Sequence, residues 1–294
     1  MKKDISEIIK KLHKIRIKAR IESENTVAGL YHSTFKGQGI SFSEVREYVY
    51  GDDVKDIDWN VTARMNSPYV KIFEEDREQT FVVVADISGS ALWSSYASHK
   101  REVMTYMAGH LLYSALLNND RISAILFSSE MEKYIPPSKG INHFMKIIRD
   151  IYMLEPKYQS TDIHRALSAL LSTIKKKSFI LMISDFIDGN IEQKQEEISR
   201  LLGMINKKHF FRVIVLNDRY EEEPLPYGVL NVKDRERGRS ILVDFSSSKN
   251  REIYLSKVRK HRELIISMFV KNGIKYVEQR TDSPFLKNVI KILS

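Results

Sequence analysis

The sequence predicts an α/β protein built on a doubly wound, mostly parallel sheet, preceded by an N-terminal helix and a small irregular or β module. Three observations carry that expectation. From residue 79 onward, short uninterrupted apolar runs such as 81–85 (FVVVA) and 179–183 (FILMI) alternate with longer segments whose apolar residues recur every three or four positions. Runs of that kind fit strands buried on both faces, and the spaced segments fit amphipathic helices packed against them. Several runs end directly in carboxylates and hydroxyls, where open sheets of this type place their ligands. Finally, 294 residues with 43% hydrophobic and 29% charged side chains is an ordinary globular balance, with length for two units at roughly 150 residues each.

Taken in order, residues 1–20 read as a basic amphipathic helix, with Ile5, Ile8, Ile9, Leu12, Ile15 and Ile17 spaced among lysines. Between residues 29 and 67 the pattern breaks at Gly37, Gly39 and Gly51, with Pro68 following, which predicts loops, turns and short strands. Tyr31, Tyr48, Tyr50, Trp59 and Tyr69 are expected to form a small core there. These segments make an N-terminal module of 1–78, and 79–294 is the α/β domain. Within the latter, strands are expected at 81–85, 122–127, 179–183, 211–216, 241–245 and 274–277. Helices are expected at about 98–117, 142–153, 162–174, 191–205, 251–270 and 284–293.

Composition narrows the chemistry. With no cysteine, disulfides, thiolate metal sites and cysteine nucleophiles are excluded, so a metal must take oxygen or histidine ligands. No apolar run approaches the ~18 residues that span a bilayer, and the charged N-terminus lacks the apolar core of a secretory signal. A soluble, cytoplasmic protein is expected. The net charge of +9 is concentrated in residues 1–20 and 231–262, each +6, so the rest of the chain sums to −3.

The strand ends hold the candidate site. Asp86-Ile87-Ser88-Gly89-Ser90 follows the first buried strand, Asp185 follows the third, and Ser160-Thr161-Asp162 precedes a helix. All supply oxygen ligands, which suit a hard divalent cation such as Mg²⁺. Taken singly, each is also a good helix cap or turn. Together, Asp86, Ser88, Ser90, Thr161 and Asp185 resemble the metal-ion-dependent adhesion site of von Willebrand factor A-like domains. That resemblance implies a Rossmann-type, von Willebrand A-like fold. It also implies Mg²⁺, with Mn²⁺ or Ca²⁺ as alternatives, held directly or through water by the two serines and the threonine. The aspartates complete the shell, and a partner's Asp or Glu fills the open position.

Residues 37–64, GQGISFSEVREYVYGDDVKDIDWNVTAR, carry a second resemblance. Gly37, Gly39, Phe42, Arg46-Glu47-Tyr48, Gly51-Asp52-Asp53, Ile57-Asp58-Trp59 and Ala63-Arg64 resemble the signature of the bacterial family catalogued as domain of unknown function 58. Lys55 stands where that family often has arginine. Members join this module to a von Willebrand A-like domain and commonly accompany MoxR-type AAA+ ATPases, which implies such an ATPase as partner and a non-enzymatic adaptor or co-chaperone role.

Two other readings stay open on the sequence. A Mg²⁺-dependent phosphohydrolase could use Asp86 as nucleophile, but Ser88 stands where the haloacid-dehalogenase pattern needs a second acid. The basic segments could bind nucleic acid, which is the less favoured partner, or a membrane surface through residues 1–20; the simpler reading is a solvated face on a helix packed against its own protein. Asp52, Asp53, Asp56 and Asp58 are either a second cation site or, as favoured, structural acids pairing with Arg46 and Arg64. His32, His99, His110, His143, His164 and His209 show no metal-ligand spacing.

Overall fold

A computed structural model of the protein describes residues 5–22, 41–65, 67–74, 79–92, 99–222, 228–234 and 239–293. Tyr31, His32, Gly37 and Gly39 lie outside them. By internal contacts the chain forms two units, one of residues 1–31 with 79–294 and one of 32–78.

The larger unit is centred on β3 (Thr80–Asp86), whose side chains from Phe81 to Asp86 are all buried. It pairs in parallel with β4 (Arg121–Phe127) on one side and β6 (Phe179–Ser184) on the other. β7 (Phe210–Asn217) and β10 (Lys275–Arg280) extend the β6 side in parallel. β5 (Met131–Ser138) closes the opposite edge antiparallel to β4. The order β10-β7-β6-β3-β4-β5 is doubly wound: the chain builds outward from β3 in one direction, then returns beside β3 and builds the other way. β3 and β6 therefore flank the point where strand order reverses. Alternation along β3 divides the core, with Val82 and Val84 facing the cluster that includes Leu167, Leu202, Phe211 and Phe269. Phe81, Val83 and Ala85 consequently face the other layer.

That other layer contains α1 (Ile5–Glu22), α3 (Lys100–Leu117), α4 (Ile141–Met153) and α9 (Leu286–Leu293), packed on one another. The layer under Val82 holds α5 (Ile163–Thr173), α6 (Gln195–Lys208) and α8 (Ser248–Lys271). α5 starts where the Asp162 carboxylate accepts the Arg165 N–H at 2.9 Å, which satisfies a donor that helix geometry leaves open. α6 begins at Gln195 rather than near 191, with Glu196 and Glu197 in its first turn and Lys207 and Lys208 in its last, each favourable to the helix dipole.

Three expectations require correction. The first helix was expected within a 1–78 module, but it groups with the sheet. Ile15 and Ala19 are fully buried, and Gly109 of α3 lies so close that a Cβ there would be 3.2 Å from Ile15 Cγ2. Lys18 Nζ sits 5.0 Å from the Phe285 ring centroid, a cation–π contact. The apolar face of α1 is thus partly spent inside its own protein, although Ile17 and Ile21 stay exposed. The strand expected at 241–245 is β9 (Arg239–Asp244), which pairs with β8 (Val229–Asp234) as a separate hairpin and leaves Leu242 72% exposed.

The third correction concerns the unit of 32–78. β1 (Ser41–Glu47) and β2 (Tyr69–Glu74) pair antiparallel around a 3-10 turn at Val54–Asp56 and the short helix α2 (Trp59–Met65). Tyr50 is 99% and Trp59 66% exposed, so these aromatics do not form the expected core. The acids do take structural roles. Arg46 donates two hydrogen bonds to Asp52, at 2.7 and 2.8 Å, and holds that carboxyl below the usual range. Asp53 accepts from Lys55 N, and Asp58 accepts from Asn60 N and Val61 N at the start of α2.

One histidine gives the larger unit a testable pH dependence. His209, just after α6, is buried with neither ring nitrogen hydrogen-bonded. Burial, then the charge of Lys208, pushes its pKa down to about 4. The unfolded chain protonates near 6.5, so this contribution to stability is complete above about 6.5 and is lost as pH falls toward 4, by about 1–3 kcal/mol. Urea unfolding at pH 4.5 and 7 should show the loss, and His209→Leu should flatten it. The same slope in both proteins would assign it elsewhere.

Candidate functional site

At the end of β3 the chain turns sharply. Ser88 N donates to Asp86 Oδ1 at 3.0 Å, and Ile87 N donates to Phe127 O at 2.8 Å. These bonds set up a 3-10 turn at Gly89–Leu92 and bring the Ser88 and Ser90 hydroxyls within 3.0 Å of each other. The neighbouring loop is tied to the same turn, since Gly89 N donates to Gln159 O at 2.8 Å. Glu132 on β5 fixes that loop from behind, accepting from Ser128 Oγ and from Lys157 N and Tyr158 N. Thr161 follows in this loop and is buried.

From β6, the Ser184 hydroxyl donates to Asp86 Oδ2 at 2.6 Å and accepts from Phe186 N at 2.9 Å. Asp185 Oδ1 accepts from Ile187 N at 3.1 Å, and the nearby Ser90 hydroxyl favours this carboxylate's charged form. Phe186 adopts φ 56°, a left-handed conformation that costs a bulky residue energy and tends to mark functional turns. Asp188 completes the turn by accepting from Ile163 N and Asn190 N, which joins the loop after β6 to the start of α5.

Thus Asp86, Ser88 and Ser90 form one hydrogen-bonded group at the switch point, Asp185 follows the Ser184 that holds Asp86, and the Thr161 loop is fastened to the same turn. Three participants had no signal in the local sequence. Ser184 holds Asp86. Lys100, on the first turn of α3 and 1% exposed, places Nζ 2.8 Å from Asp185 Oδ2 and 2.7 Å from Glu221 Oε1. Glu221 comes from the short helix α7 (Arg219–Glu222).

The electrostatics follow from burial. Burial, then repulsion from Asp185, pushes Asp86 up to about 7, against the hydrogen bonds from Ser184 and Ser88. Burial also acts to raise Asp185, but Lys100 outweighs it and holds that carboxyl below the usual range. Glu221 is raised, first by burial. Among the described residues, Asp185 and Glu221 are ion-paired with the Lys100 ammonium; with Asp86, when all three are ionised, they leave a formal excess of two negative charges that a dication would neutralise. The donor chemistry fits a hard cation, with hydroxyls converging beside carboxylates and no nitrogen or sulfur ligand in the set. Among the described residues no three His, Cys, Asp or Glu side chains gather as a metal cluster, so a cation here would depend on the serines and threonine.

Gly89 is where space is tightest. A Cβ there would lie 2.7 Å from Gln159 Oε1 and 3.1 Å from Gln159 O. The side chain can swing away, but the carbonyl is held by Gly89 N. Gly89→Ala is expected to cost about 1 kcal/mol, read as a lower melting temperature, and unchanged stability would show that the Gln159 loop yields without cost.

The model of the family described as Protein of unknown function DUF58 matches residues 44–264. The chain belongs to this family. The chain is also similar to uncharacterized protein Rv1480 of Mycobacterium tuberculosis (strain H37Rv), 24% identical over 286 residues, covering 96% of this chain and 88% of that protein. Uncharacterized protein Mb1516 of Mycobacterium bovis matches to the same extent. Among solved structures, the conserved hypothetical protein BatB from Bacteroides thetaiotaomicron is similar over 73% of this chain and 97% of its own, at 14% identity and TM-score 0.45. The SpRpn10 VWA domain is similar over 73% of this chain and 94% of its own, at 8% identity and TM-score 0.43. Among the described residues of this DUF58 member, no helix is long and apolar enough to cross a membrane.

Proposed function

We propose that this DUF58 chain is a non-catalytic, cation-dependent protein-interaction module. In this reading Ser88, Ser90 and Thr161 bind Mg²⁺, directly or through water. Asp86 and Asp185 complete the shell and balance its charge. A bound cation supplies an open coordination position for an Asp or Glu of a protein partner. The observation that carries the reading is the gathering of Asp86, Ser88, Ser90 and Asp185 at the switch point, where Asp86, Asp185 and Glu221, when ionised, exceed the Lys100 charge by two. A partner carboxylate meeting a dication there gains charge attraction that bulk water would otherwise screen.

The phosphohydrolase reading is less well supported. Both Asp86 oxygens are already engaged, by Ser88 N and by the Ser184 hydroxyl, which suits a fixed shell ligand better than an attacking nucleophile. The burial of Ile15 and Ala19 in α1 favours packing over membrane contact for the first basic segment.

The family resemblance makes a MoxR-type AAA+ ATPase the proposed partner, in the cytoplasm, with this chain as adaptor or co-chaperone. The test is capture of a purified MoxR-type ATPase from the same organism by the immobilised full chain, in Mg²⁺ and in chelator. Capture in Mg²⁺ that disappears with chelator is expected. Equal capture in both would sink the cation-dependent reading, and no capture in either would sink the partner.

A further inference from the structure

The cation-binding reading gives no role to the ion pair of Lys100 and Glu221. The Lys100 ammonium is buried, ion-paired with Asp185 on β6 and with Glu221 on α7. Asp185 Oδ1 is occupied by Ile187 N, so the oxygen that Lys100 contacts is the one this carboxylate could otherwise turn toward a cation. The Ser90 hydroxyl, bonded to Ser88 Oγ, lies near the same carboxylate. A positive charge fixed by the fold therefore sits against a carboxylate of the candidate cation site. Glu221 draws part of that ammonium's bonding away from Asp185.

We propose that Lys100 is a resident cation that sets the divalent affinity of the site: it competes for Asp185, and Glu221 moderates the competition. The proposal rests on the cation-binding reading above and deepens it. Two consequences have opposite sign. Removing the ammonium frees Asp185 and removes a repulsion felt by the dication, so binding tightens. Removing the Glu221 charge leaves the ammonium to Asp185 alone and takes one negative charge from the surroundings, so binding weakens. A lysine serving only to hold the fold together gives no such pair of signs, because damage to the site weakens binding in either variant.

The experiment is calorimetric titration of the full chain with Mn²⁺, comparing wild type, Lys100→Gln, Glu221→Gln and the double variant, with thermal melts to establish that each is folded. Lys100→Gln is expected to bind at least about tenfold tighter and Glu221→Gln at least about tenfold weaker. The double variant, which restores the wild-type charge balance, should return near wild type. A folded Lys100→Gln that binds with unchanged or weaker affinity overturns the proposal while leaving the cation reading intact. If Lys100→Gln does not fold, the double variant decides: binding tighter than in Glu221→Gln supports the competition, and binding no tighter overturns it. Absence of Mn²⁺ binding in wild type with tight binding in Lys100→Gln supports a site held by its own lysine. Absence in both removes the cation reading and this proposal with it.

Discussion

Asp86→Ala is expected to abolish stabilisation of the protein by divalent cations. At a hundredfold excess of free cation over its dissociation constant, a ligand bound only by the native state adds about 2.7 kcal/mol. In a chain of this size that amounts to a rise of roughly 5–10 °C in Tm. Wild type should show that rise with Mg²⁺ or Mn²⁺ and lose it in chelator. The alanine variant should melt at the same temperature in both, because it loses the buried carboxylate that anchors Ser88 N and Ser184 Oγ as well as one of the negative charges that favour a dication. Removing Asp86 also relieves its repulsion with Asp185, so the metal-free variant should stay folded. A full cation-induced rise in the variant would place the ion elsewhere.

Ser184→Ala should be the more damaging change for the fold itself. Its hydroxyl serves two buried groups at once, donating to Asp86 and accepting from Phe186 N in the strained turn after β6. Alanine leaves a carboxylate oxygen and an amide without partners, at about 2–4 kcal/mol. That corresponds to a Tm fall of roughly 5–15 °C. Because the hydroxyl also favours the ionised form of Asp86, its removal should raise the Asp86 pKa further. Protons then compete better with a cation, so the affinity loss should be larger at pH 6 than at pH 8. Melts and Mn²⁺ titrations at the two pH values test both parts, and a variant as stable as wild type would contradict the bonding described.

The parallel strands were legible because burial on both faces writes itself as an unbroken apolar run, as in Phe81 to Ala85 and Phe179 to Ile183. β5 escaped that logic. Its segment, MEKYIPPS, contains Pro136 and Pro137, which only an edge strand tolerates. The segment 241–245 was misplaced because a hairpin strand and a sheet strand share the same β-favouring residues, and pairing is decided by partners elsewhere in the chain. The site shows the same division. The Asp86-x-Ser88-x-Ser90 turn is local, bonded within three residues, and could be read directly. Ser184 meets Asp86 across 98 residues, and Lys100 meets Asp185 and Glu221 across 85 and 121, distances at which one sequence carries no pairing signal. In the smaller unit, aromatic composition suggested a core, yet Tyr50 and Trp59 face outward, since composition does not specify direction.

The central claim is that a divalent cation binds at the switch point between β3 and β6 on the hydroxyls of Ser88, Ser90 and Thr161. It is tested most directly by growing crystals of the full chain with Mn²⁺ and computing an anomalous difference map. The account expects one strong peak per chain, about 2.1 Å from ligand oxygens that include the Ser88 and Ser90 hydroxyls, and no such peak in Asp86→Ala. A map from Mn²⁺-saturated crystals with no peak at this position would contradict it.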